Sequence, residues 1–465
     1  MKAVAGPALD GGSPRRAEEL LAFAEETVGR ALEAGADEAE AYVESTVGTT
    51  LRSHARKLEW LRSADSAGIG IRVVAGQRLG YGYGSDLSSE GIGLLVELAL
   101  ANAAVTDSDP LLELPEPSAE EVPALELGDP DLAAATADDK LARLGQAEAA
   151  AFGRSAVESI SIAQYGDERK EVAIANSHGV AGSYATTFVY LMLEAIAQRD
   201  GDVQAGQGFV HARTFRDLPA ASAGEEAAER AETQLGAVPA PTTAATVVLS
   251  PLAAAQLLGQ MSRLFSGEAA LRDRTILAPL LGRRVAHPAV TLLDDPLAPD
   301  GPGSRPFDGE GVRSRQTTLV EDGVLTGFAH NHWTGRRSGG GSTGNARRSS
   351  YRASPEIGFS NFVVRGETKP AAELLDLAGG GIYVDELQGL HNVSALTGRF
   401  SVGFVGRLIE GGELTQPIRD GTLAAEFLQL LDGIAAVGDD FRFLPGSPAV
   451  GAPSILVDEL SVAGG

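Results

Sequence analysis

The sequence predicts an α+β fold with two domains: an N-terminal domain of mixed α/β layers, residues 1–237, and a β-rich C-terminal domain with a few helices, residues 245–465. Helix-periodic and strand-alternating segments take turns in the first half of the chain, whereas strand patterns dominate the second half. Between the two halves, residues 237–245 contain two prolines two positions apart among small neighbours. This composition favours an extended linker and sets the predicted boundary.

The first half is predicted to begin with a helix over residues 16–32, whose apolar residues share one face until Gly35 ends it. Apolar residues then alternate at 39–43, 69–73 and 79–83, as expected for half-buried strands, and a short turn at 75–78 joins the last two. The remaining predicted elements of this half are helices at 88–104, 137–152 and 221–235, strand character over 158–215, and an exposed acidic loop at 107–131.

The second half is predicted to open with a buried strand at 245–249, followed by a helix that starts at Ser250 and Pro251. The sequence Glu321-Asp322-Gly323 between two apolar runs predicts a hairpin. Apolar spacing over residues 423–437 predicts an amphipathic helix. Further candidate strands lie at 359–364, 381–384, 400–405 and 454–462.

Composition excludes several classes of protein. The chain has 465 residues, of which 43% are hydrophobic and 22% charged, so it can build globular cores. Its net charge of −25 argues against binding to nucleic acid or to anionic membranes, since both partners are negative. The absence of Cys excludes disulfides and thiolate metal sites. Residues 1–12 lack a signal-peptide core and no segment reaches membrane-spanning length, so we expect a cytoplasmic location.

Six short motifs follow one another in the second half, beyond Pro241. They are Leu292-Leu293-Asp294-Asp295-Pro296, Phe307-Asp308-Gly309-Glu310-Gly311, Val320-Glu321-Asp322-Gly323-Val324-Leu325, Ser342-Thr343-Gly344-Asn345-Ala346-Arg347-Arg348, Thr397-Gly398-Arg399-Phe400-Ser401-Val402-Gly403 and Gly451-Ala452-Pro453-Ser454. Each motif alone is weakly specific, but their order over residues 292–454 resembles the TldD/PmbA family. The residues of the Asp-Asp-Pro and Thr-Gly-x-Phe-Ser-Val-Gly motifs resemble those of the PmbA branch of the family, also called TldE.

The resemblance implies a particular role for the helix that starts at Ser250. In the metal-binding TldD branch this helix is expected to carry an H-E-x-x-x-H pattern, with a Cys late in the chain as a third ligand. This sequence has Gly259, Gln260 and Leu264 at the corresponding positions, and it has no Cys. Because none of these side chains is a zinc ligand or a general base, we expect no catalytic residue and no metal in this chain.

The glycine-rich stretch at residues 339–345, followed by two arginines, is the strongest candidate for ligand binding. Successive glycines can turn backbone N–H groups toward an anion, and two guanidinium groups could bind a carboxylate or a phosphate. The alternative is a flexible loop whose arginines offset an acidic chain. The family resemblance favours a role at a peptide cleft or a subunit interface for Gly344, Asn345, Arg347, Arg348, His391 and Asn392.

Two other groups of residues have a possible chemical role. His330 and His332 are spaced so that a strand would point both imidazoles to one face, where they could bind zinc. Without a third ligand nearby in sequence, the preferred interpretation is a strand end that passes into a polar loop. Paired carboxylates at Asp294-Asp295 and at Asp308 and Glu310 could serve a cation or acid–base chemistry. A turn and a solvated loop are the preferred interpretations.

Three functions remain open from the sequence. The resemblance implies a non-catalytic subunit that pairs with a TldD-like, zinc-binding subunit, which would hold the zinc, in a peptidase that trims leader-bearing or unfolded peptides. Peptide antibiotics or other specialised metabolites are possible substrates. The alternatives are a divergent enzyme of specialised metabolism that works alone, and a regulatory binding protein of the kind associated with gyrase-inhibitor phenotypes. Homodimer formation by the isolated chain stays open.

Overall fold

The computed structural model describes residues 17–464 and confirms the α+β prediction. The predictions for residue 16 and for residues 1–12 lie outside this part of the chain. No helix within residues 17–464 is both long and apolar enough to cross a membrane. The α-helices are α1 (Ala17–Glu33), α2 (Ser89–Val105), α3 (Ala137–Ala151), α4 (Ala220–Thr233), α5 (Pro251–Met261), α6 (Gly267–Leu271), α7 (His332–Ser338), α8 (Ala371–Ala378) and α9 (Phe427–Asp432).

The strands of the first half are long, and most of those in the second half are short. They are β1 (Glu38–His54), β2 (Lys57–Ala75), β3 (Arg78–Gly84), β4 (Val157–Asn176), β5 (Ala181–Arg199), β6 (Asp202–Ala212), β7 (Val238–Pro239), β8 (Thr243–Leu249), β9 (Thr291–Asp294), β10 (Thr317–Glu321), β11 (Val324–Leu325), β12 (Ala346–Arg347), β13 (Glu356–Ile357), β14 (Asn361–Arg365), β15 (Thr368–Lys369), β16 (Gly380–Gln388), β17 (Arg399–Glu410), β18 (Glu413–Glu426), β19 (Ile434–Gly438), β20 (Arg442–Leu444), β21 (Ala449–Ala452) and β22 (Ile455–Gly464). The predicted helices of the first half and the two predicted hairpins are confirmed.

Strands β1 to β6 form one antiparallel sheet in the order β3-β2-β1-β4-β5-β6. Because side chains alternate along a strand, the two faces of this sheet differ. One face carries fully buried residues such as Ala41, Ile71 and Leu191, and helices α1 to α4 cover it. The opposite face packs against Phe307 and Tyr351 from the second half of the chain. This opposite face is where the two halves meet.

The second half, within the described residues, is built on two larger sheets and the small ladder of β12 and β13. The strand orders are β11-β10-β9-β14-β21-β20 and β15-β19-β22-β8-β16-β17-β18-β7. An additional pairing of β18 with β22 closes β8, β16, β17, β18 and β22 into a ring. Side chains from both sheets and from α5 share one core, which includes Leu257, Met261, Phe265, Phe362 and Phe427.

The prediction of a single helix over residues 423–437 is wrong. Strand β18 continues through Leu423, the helix α9 is short, and β19 follows it directly. The helical spacing of Leu423 and Phe427 is present and both side chains are buried. However, Leu423 lies opposite Val402 of β17 and Val462 of β22, so strand pairing on both sides fixes an extended backbone. Tertiary pairing overrides a local helical pattern here.

The two irregular segments proposed from the sequence differ in how they are held. Residues 107–131 form an irregular, largely exposed stretch, as predicted. In the predicted linker, by contrast, β7 pairs with β18, and the Ala240 N–H donates to the Arg419 carbonyl over 2.9 Å. The chain therefore enters its second half tied to the eight-stranded sheet, and the domain boundary at residues 237–245 stays a prediction.

Candidate functional site

Helix α5 occupies the position that the sequence resemblance assigns to a metal-binding helix. Ser250 caps its N-terminus, since the Ser250 Oγ accepts the Ala253 N–H over 3.1 Å, and Pro251 fills the first turn. Leu257 and Met261 bury one side of the helix in the core. The other side of its C-terminal turn remains open to solvent.

Gly259, Gln260 and Leu264, which the sequence resemblance places at the H-E-x-x-x-H positions, do not fit a zinc ion. Gly259 has no side chain, and a Cβ atom placed there would lie 3.1 Å from the Cγ2 of Val450. Gln260 presents an exposed amide, and Leu264 is fully buried in the core. Zinc in proteins is bound by thiolate, imidazole or carboxylate groups. Within residues 17–464, no three His, Cys, Asp or Glu side chains are grouped so that they could hold a metal ion.

The open end of α5 borders a cleft of about 940 Å³, here named the helix cleft. Gly259 and Gln260 line one side of it, and Arg347 and Gly358 line the other. Its charged lining residues are Lys170, Arg263, Arg272, Arg274, Arg347 and Arg348, against Glu268 and Glu356. Lys170 pairs with Glu44, Arg272 with Glu268 and Arg348 with Glu40. No carboxylate of the described residues lies within 4 Å of the three remaining cleft arginines, Arg263, Arg274 and Arg347. The helix cleft is thus cationic in a chain of net charge −25.

The loop before the two arginines is fixed by its own hydrogen bonds. Gly344 has a φ of 79°, which favours glycine. Asn345 is 1% exposed, and its Nδ2 donates to the Asp294 Oδ2 over 2.7 Å and to the Gly358 carbonyl over 3.2 Å. Its Oδ1 accepts from the Thr343 hydroxyl over 2.7 Å. The structure therefore gives Gly344 and Asn345 the role of shaping the loop.

Arg348 belongs to a buried ionic network that joins the two halves of the chain. Its guanidinium pairs with Glu40 of β1, and its Nε donates to the Gly309 carbonyl over 2.8 Å. Arg72 of β2 also binds Glu40, over 2.6 Å, and binds Glu310 over 2.8 Å. Two cations and two anions are thus matched without solvent. Replacement of Arg348 would therefore break this network.

Arg347 has different surroundings from its neighbour. Its Nη1 donates to the Phe359 carbonyl over 2.8 Å, and its aliphatic stem crosses Gly358, where an added Cβ would lie 3.0 Å from the Arg347 Cγ. Its side chain lines the helix cleft and a second cleft on the open face of the first sheet. Arg348 lines both clefts as well but is paired with Glu40, so of the predicted loop residues Arg347 is the one placed to meet a ligand.

His391 and Asn392 lie on a short 3-10 helix, Leu390–Asn392, and both are exposed. Gly389, with a φ of 66°, starts this turn, which lies beside β17. Neither residue is among the described residues that line the helix cleft. The structure does not bring this pair together with Arg347, and an interface role for it remains a prediction.

His330 and His332 do not share a strand face. They flank Asn331, whose side chain accepts the Thr334 N–H and caps α7. Burial lowers the pKa of both imidazoles, so both are neutral at pH 7. The backbone N–H of His332 donates to Glu310 over 2.8 Å. The geometry that a strand would supply for a two-histidine site is absent at these positions.

The predicted solvated loop at Asp308 and Glu310 is wrong, since each of these residues is only 2% exposed. Asp308 accepts the backbone N–H groups of Glu310, Val312 and Ala346, which anchors the loop before Arg347. Burial and the adjacent Glu310 raise the pKa of Asp308 to about 7. Burial also acts to raise the pKa of Glu310, but the Arg72 guanidinium outweighs it and the pKa is lowered.

Asp294 is a second buried anchor of the same region. It lies at the end of β9 and accepts the Ser360 and Asn361 N–H groups over 2.8 and 2.9 Å, besides the Asn345 amide. Burial raises its pKa to about 6. The partners of Asp294 and Asp308 are backbone N–H groups of loops and the Asn345 amide. We therefore assign both carboxylates a structural role rather than acid–base chemistry.

Sequence reasoning missed Glu40, Arg72 and Arg305. The first two lie directly opposite each other on β1 and β2. The sequence contains a signal for this pair. Ala39 and Ala41 of β1 and Ile71 of β2 point to the apolar face of the sheet, so strand alternation places Glu40 and Arg72 on the opposite face. No comparable local pattern marks Arg305, which lies in an irregular segment and is buried by residues distant in sequence.

Comparison with known proteins yields three family models in chain order. Residues 242–464 match the PmbA/TldA metallopeptidase C-terminal domain, residues 130–235 match the central domain of the same family, and residues 39–103 match its domain 1. Together these matches span both halves of the structure.

Individual relatives align over nearly the whole chain. The metalloprotease PmbA of Escherichia coli O157:H7 is 28% identical over 449 residues, which cover 95% of this chain and 96% of that protein. The crystal structure of a proposed modulator of a DNA gyrase from Thermotoga maritima has a TM-score of 0.87 at 27% identity, over 96% of this chain and 100% of that one. TldE from Thermococcus kodakarensis has a TM-score of 0.83 at 25% identity, over 97% and 100%.

Proposed function

The chain belongs to the PmbA/TldD metallopeptidase family, and on that premise we propose that it is the non-catalytic partner of a TldD-like, zinc-binding subunit. In this proposal the assembled pair is a cytoplasmic peptidase that processes peptides, and the zinc belongs to the other subunit. The substrate is a peptide, and neither nucleic acid nor a membrane is a partner.

The observation that carries the proposal is the chemistry of α5. The helix has the expected place after a buried strand, with a capped start and an open end beside a cleft. Its three corresponding positions hold a packed glycine, an exposed amide and a core leucine. These residues can shape a cleft, but they cannot activate a water molecule as a zinc-bound site does.

The cationic helix cleft supports the other half of the proposal. A chain without catalytic ligands would have little use for such a cleft unless a second surface completes it. Arg263 and Arg274 are exposed at this cleft and have no carboxylate of the described residues within 4 Å. They are available for a partner or a peptide. A stable pair would bury roughly 1,600 Å² or more in total.

Co-expression tests the assembly. The chain is produced together with the TldD-like protein of the same genome that carries H-E-x-x-x-H, and the mixture is resolved by size-exclusion chromatography with zinc analysis of each fraction. We expect one complex with zinc in proportion to the TldD-like subunit. Separate elution of the two proteins, or zinc that follows this chain, would refute the proposal.

A further inference from the structure

A second cleft, of about 650 Å³, lies on the open face of the first sheet and is here named the sheet cleft. Residues Tyr184, Phe188 and Tyr190 of β5 line one wall, on alternating positions of one strand. The facing wall belongs to the second half of the chain and includes Arg305 and Arg347. An aromatic wall therefore faces two guanidinium groups across a space large enough for a short peptide segment.

Arg305 is 9% exposed and forms no direct ion pair within the described residues. Its Nη2 makes one long contact of 3.4 Å with the Ala346 carbonyl, and its Nε has no hydrogen-bond partner. No carboxylate among residues 17–464 lies within 4 Å of its guanidinium, in contrast to the buried Arg72. A buried cation with an unsatisfied donor is costly, and native structures rarely keep one without a reason.

Arg347 adds a second positive charge at the same wall. Burial and the nearby Arg305 lower its pKa to about 10. Asp294 and Asp308 act on the two arginines only from beyond 4 Å, and both carboxylates accept backbone N–H groups of neighbouring loops. The Phe359 carbonyl and Gly358 hold Arg347 in place. The pair is thus held in place, and although Asp308 also lines the cleft, no carboxylate of the described residues forms a direct ion pair with either arginine.

Resting on the proposed function, we propose that Arg305 and Arg347 form a subsite for a carboxylate group of the substrate peptide, with an adjacent apolar side chain against Tyr184 and Phe188. Guanidinium groups bind carboxylates through paired, charge-assisted hydrogen bonds, which the two unpaired arginines can supply. Binding of a carboxylate in the cleft would place an anion beside both guanidinium groups. The C-terminus of a peptide and an acidic side chain present the same group.

Small ligands test this subsite on the full chain without any partner. Isothermal titration calorimetry compares N-acetylphenylalanine with its uncharged amide, N-acetylphenylalaninamide. We expect the acid to bind at least about tenfold more tightly, as charge-assisted hydrogen bonds allow. N-acetylaspartate α-amide and inorganic phosphate serve as further probes: the first distinguishes a side-chain carboxylate from a C-terminal one. Equal affinity for acid and amide, no binding of either, or tighter binding of phosphate than of every carboxylate would overturn the proposal.

Variants locate the effect. Arg347→Gln and Arg305→Gln should each abolish the preference for the acid, and Arg347→Lys should retain part of it because the charge remains. Arg283→Gln, at an exposed arginine outside both clefts, is the matched control and should behave as wild type. Retention of the preference in Arg347→Gln would contradict the assignment. If the acid is preferred but the assembled pair processes no peptide, the proposed function fails and the subsite stands. If the pair processes peptides but the acid is not preferred, only the subsite is refuted.

Discussion

Adjacent arginines in this chain do different work because their surroundings differ. Arg348 is matched by Glu40 in a buried network with Arg72 and Glu310. Arg347 donates to the Phe359 carbonyl and has no carboxylate of the described residues within 4 Å. The sequence places both residues in one candidate site, since nothing in the motif distinguishes them. Only the residues brought in from β1 and β2 separate a structural role from a binding role.

Single replacements should separate the two roles. Arg348→Ala leaves a buried anion short of one partner, and we expect it to lower the free energy of unfolding by about 3 kcal/mol. Arg347→Ala removes a cation without a close counterion, so we expect a change within about 1 kcal/mol. Urea unfolding followed by circular dichroism measures both. Equal destabilisation by the two variants would contradict the distinction.

Buried carboxylates should make stability depend on pH. Asp294 and Asp308 have pKa values of about 6 and about 7 in the folded chain, above their ordinary value of 3.8. The folded state therefore holds more protons than the unfolded state between pH 4 and 7, and stability falls as pH rises through this range. Glu310, whose pKa is lowered, acts in the opposite sense only at lower pH.

Asp308→Asn isolates this effect from the general repulsion of an acidic chain. The variant cannot titrate at residue 308, so its unfolding free energy should change less steeply between pH 5 and 7.5 than that of wild type. One proton accounts for up to about 1.4 kcal/mol per pH unit. Urea unfolding at four pH values gives both slopes, and parallel slopes would show that Asp308 does not titrate in this range.

At the scale of elements, the sequence predicts what local patterns determine. The alternation in β1 to β3 and the caps of α2 and α3 are readable without the fold. The helix predicted at 423–437 fails because β17 and β22, distant in sequence, fix Leu423 as part of a strand. The burial of Asp308 and Glu310 is not predicted, for the same reason. An acidic, glycine-rich motif has the composition of a solvated loop, and the residues that bury it are distant in sequence.

The composition of α5 and the start of α7 lead to a prediction about metal. Purified chain should carry no stoichiometric zinc, because Gly259, Gln260 and Leu264 are not ligands and, among the described residues, His330 and His332 belong to no group of three potential metal ligands. Elemental analysis of the purified protein gives the ratio, with His332→Ala as the comparison. One zinc per chain that disappears in His332→Ala would make the histidine pair a metal site.

Limited proteolysis should distinguish the two irregular segments. Residues 116–122 are exposed, whereas residues 238–240 are held by pairing with β18. Because cleavage favours unpaired, exposed backbone, we expect first cuts within 107–131 and later cuts near Pro239. Mass spectrometry of early fragments identifies the sites. First cuts inside α5 would contradict the described packing.

On the scale of the whole molecule, charge is distributed unevenly. A chain of net charge −25 exposes Arg263 and Arg274 at one cleft and buries Arg305 beside another. We expect the net charge to disfavour nucleic acid and anionic membranes, whereas the proposed carboxylate subsite relies on the local positive charge at the clefts. Length, family and fold were accessible from the sequence. The positive charge of the two clefts was not accessible, because Lys170 and Arg347 come together with Arg263 at one cleft and with Arg305 at the other only in the folded chain.

The central claim is that this chain contributes to peptide processing without being the catalyst. The most direct measurement is hydrolysis of an unstructured peptide by this chain alone, by the TldD-like subunit alone and by the two together, each with and without a zinc chelator. The account predicts that full activity appears only in the mixture and disappears with chelator. Chelator-insensitive hydrolysis by this chain alone would contradict it.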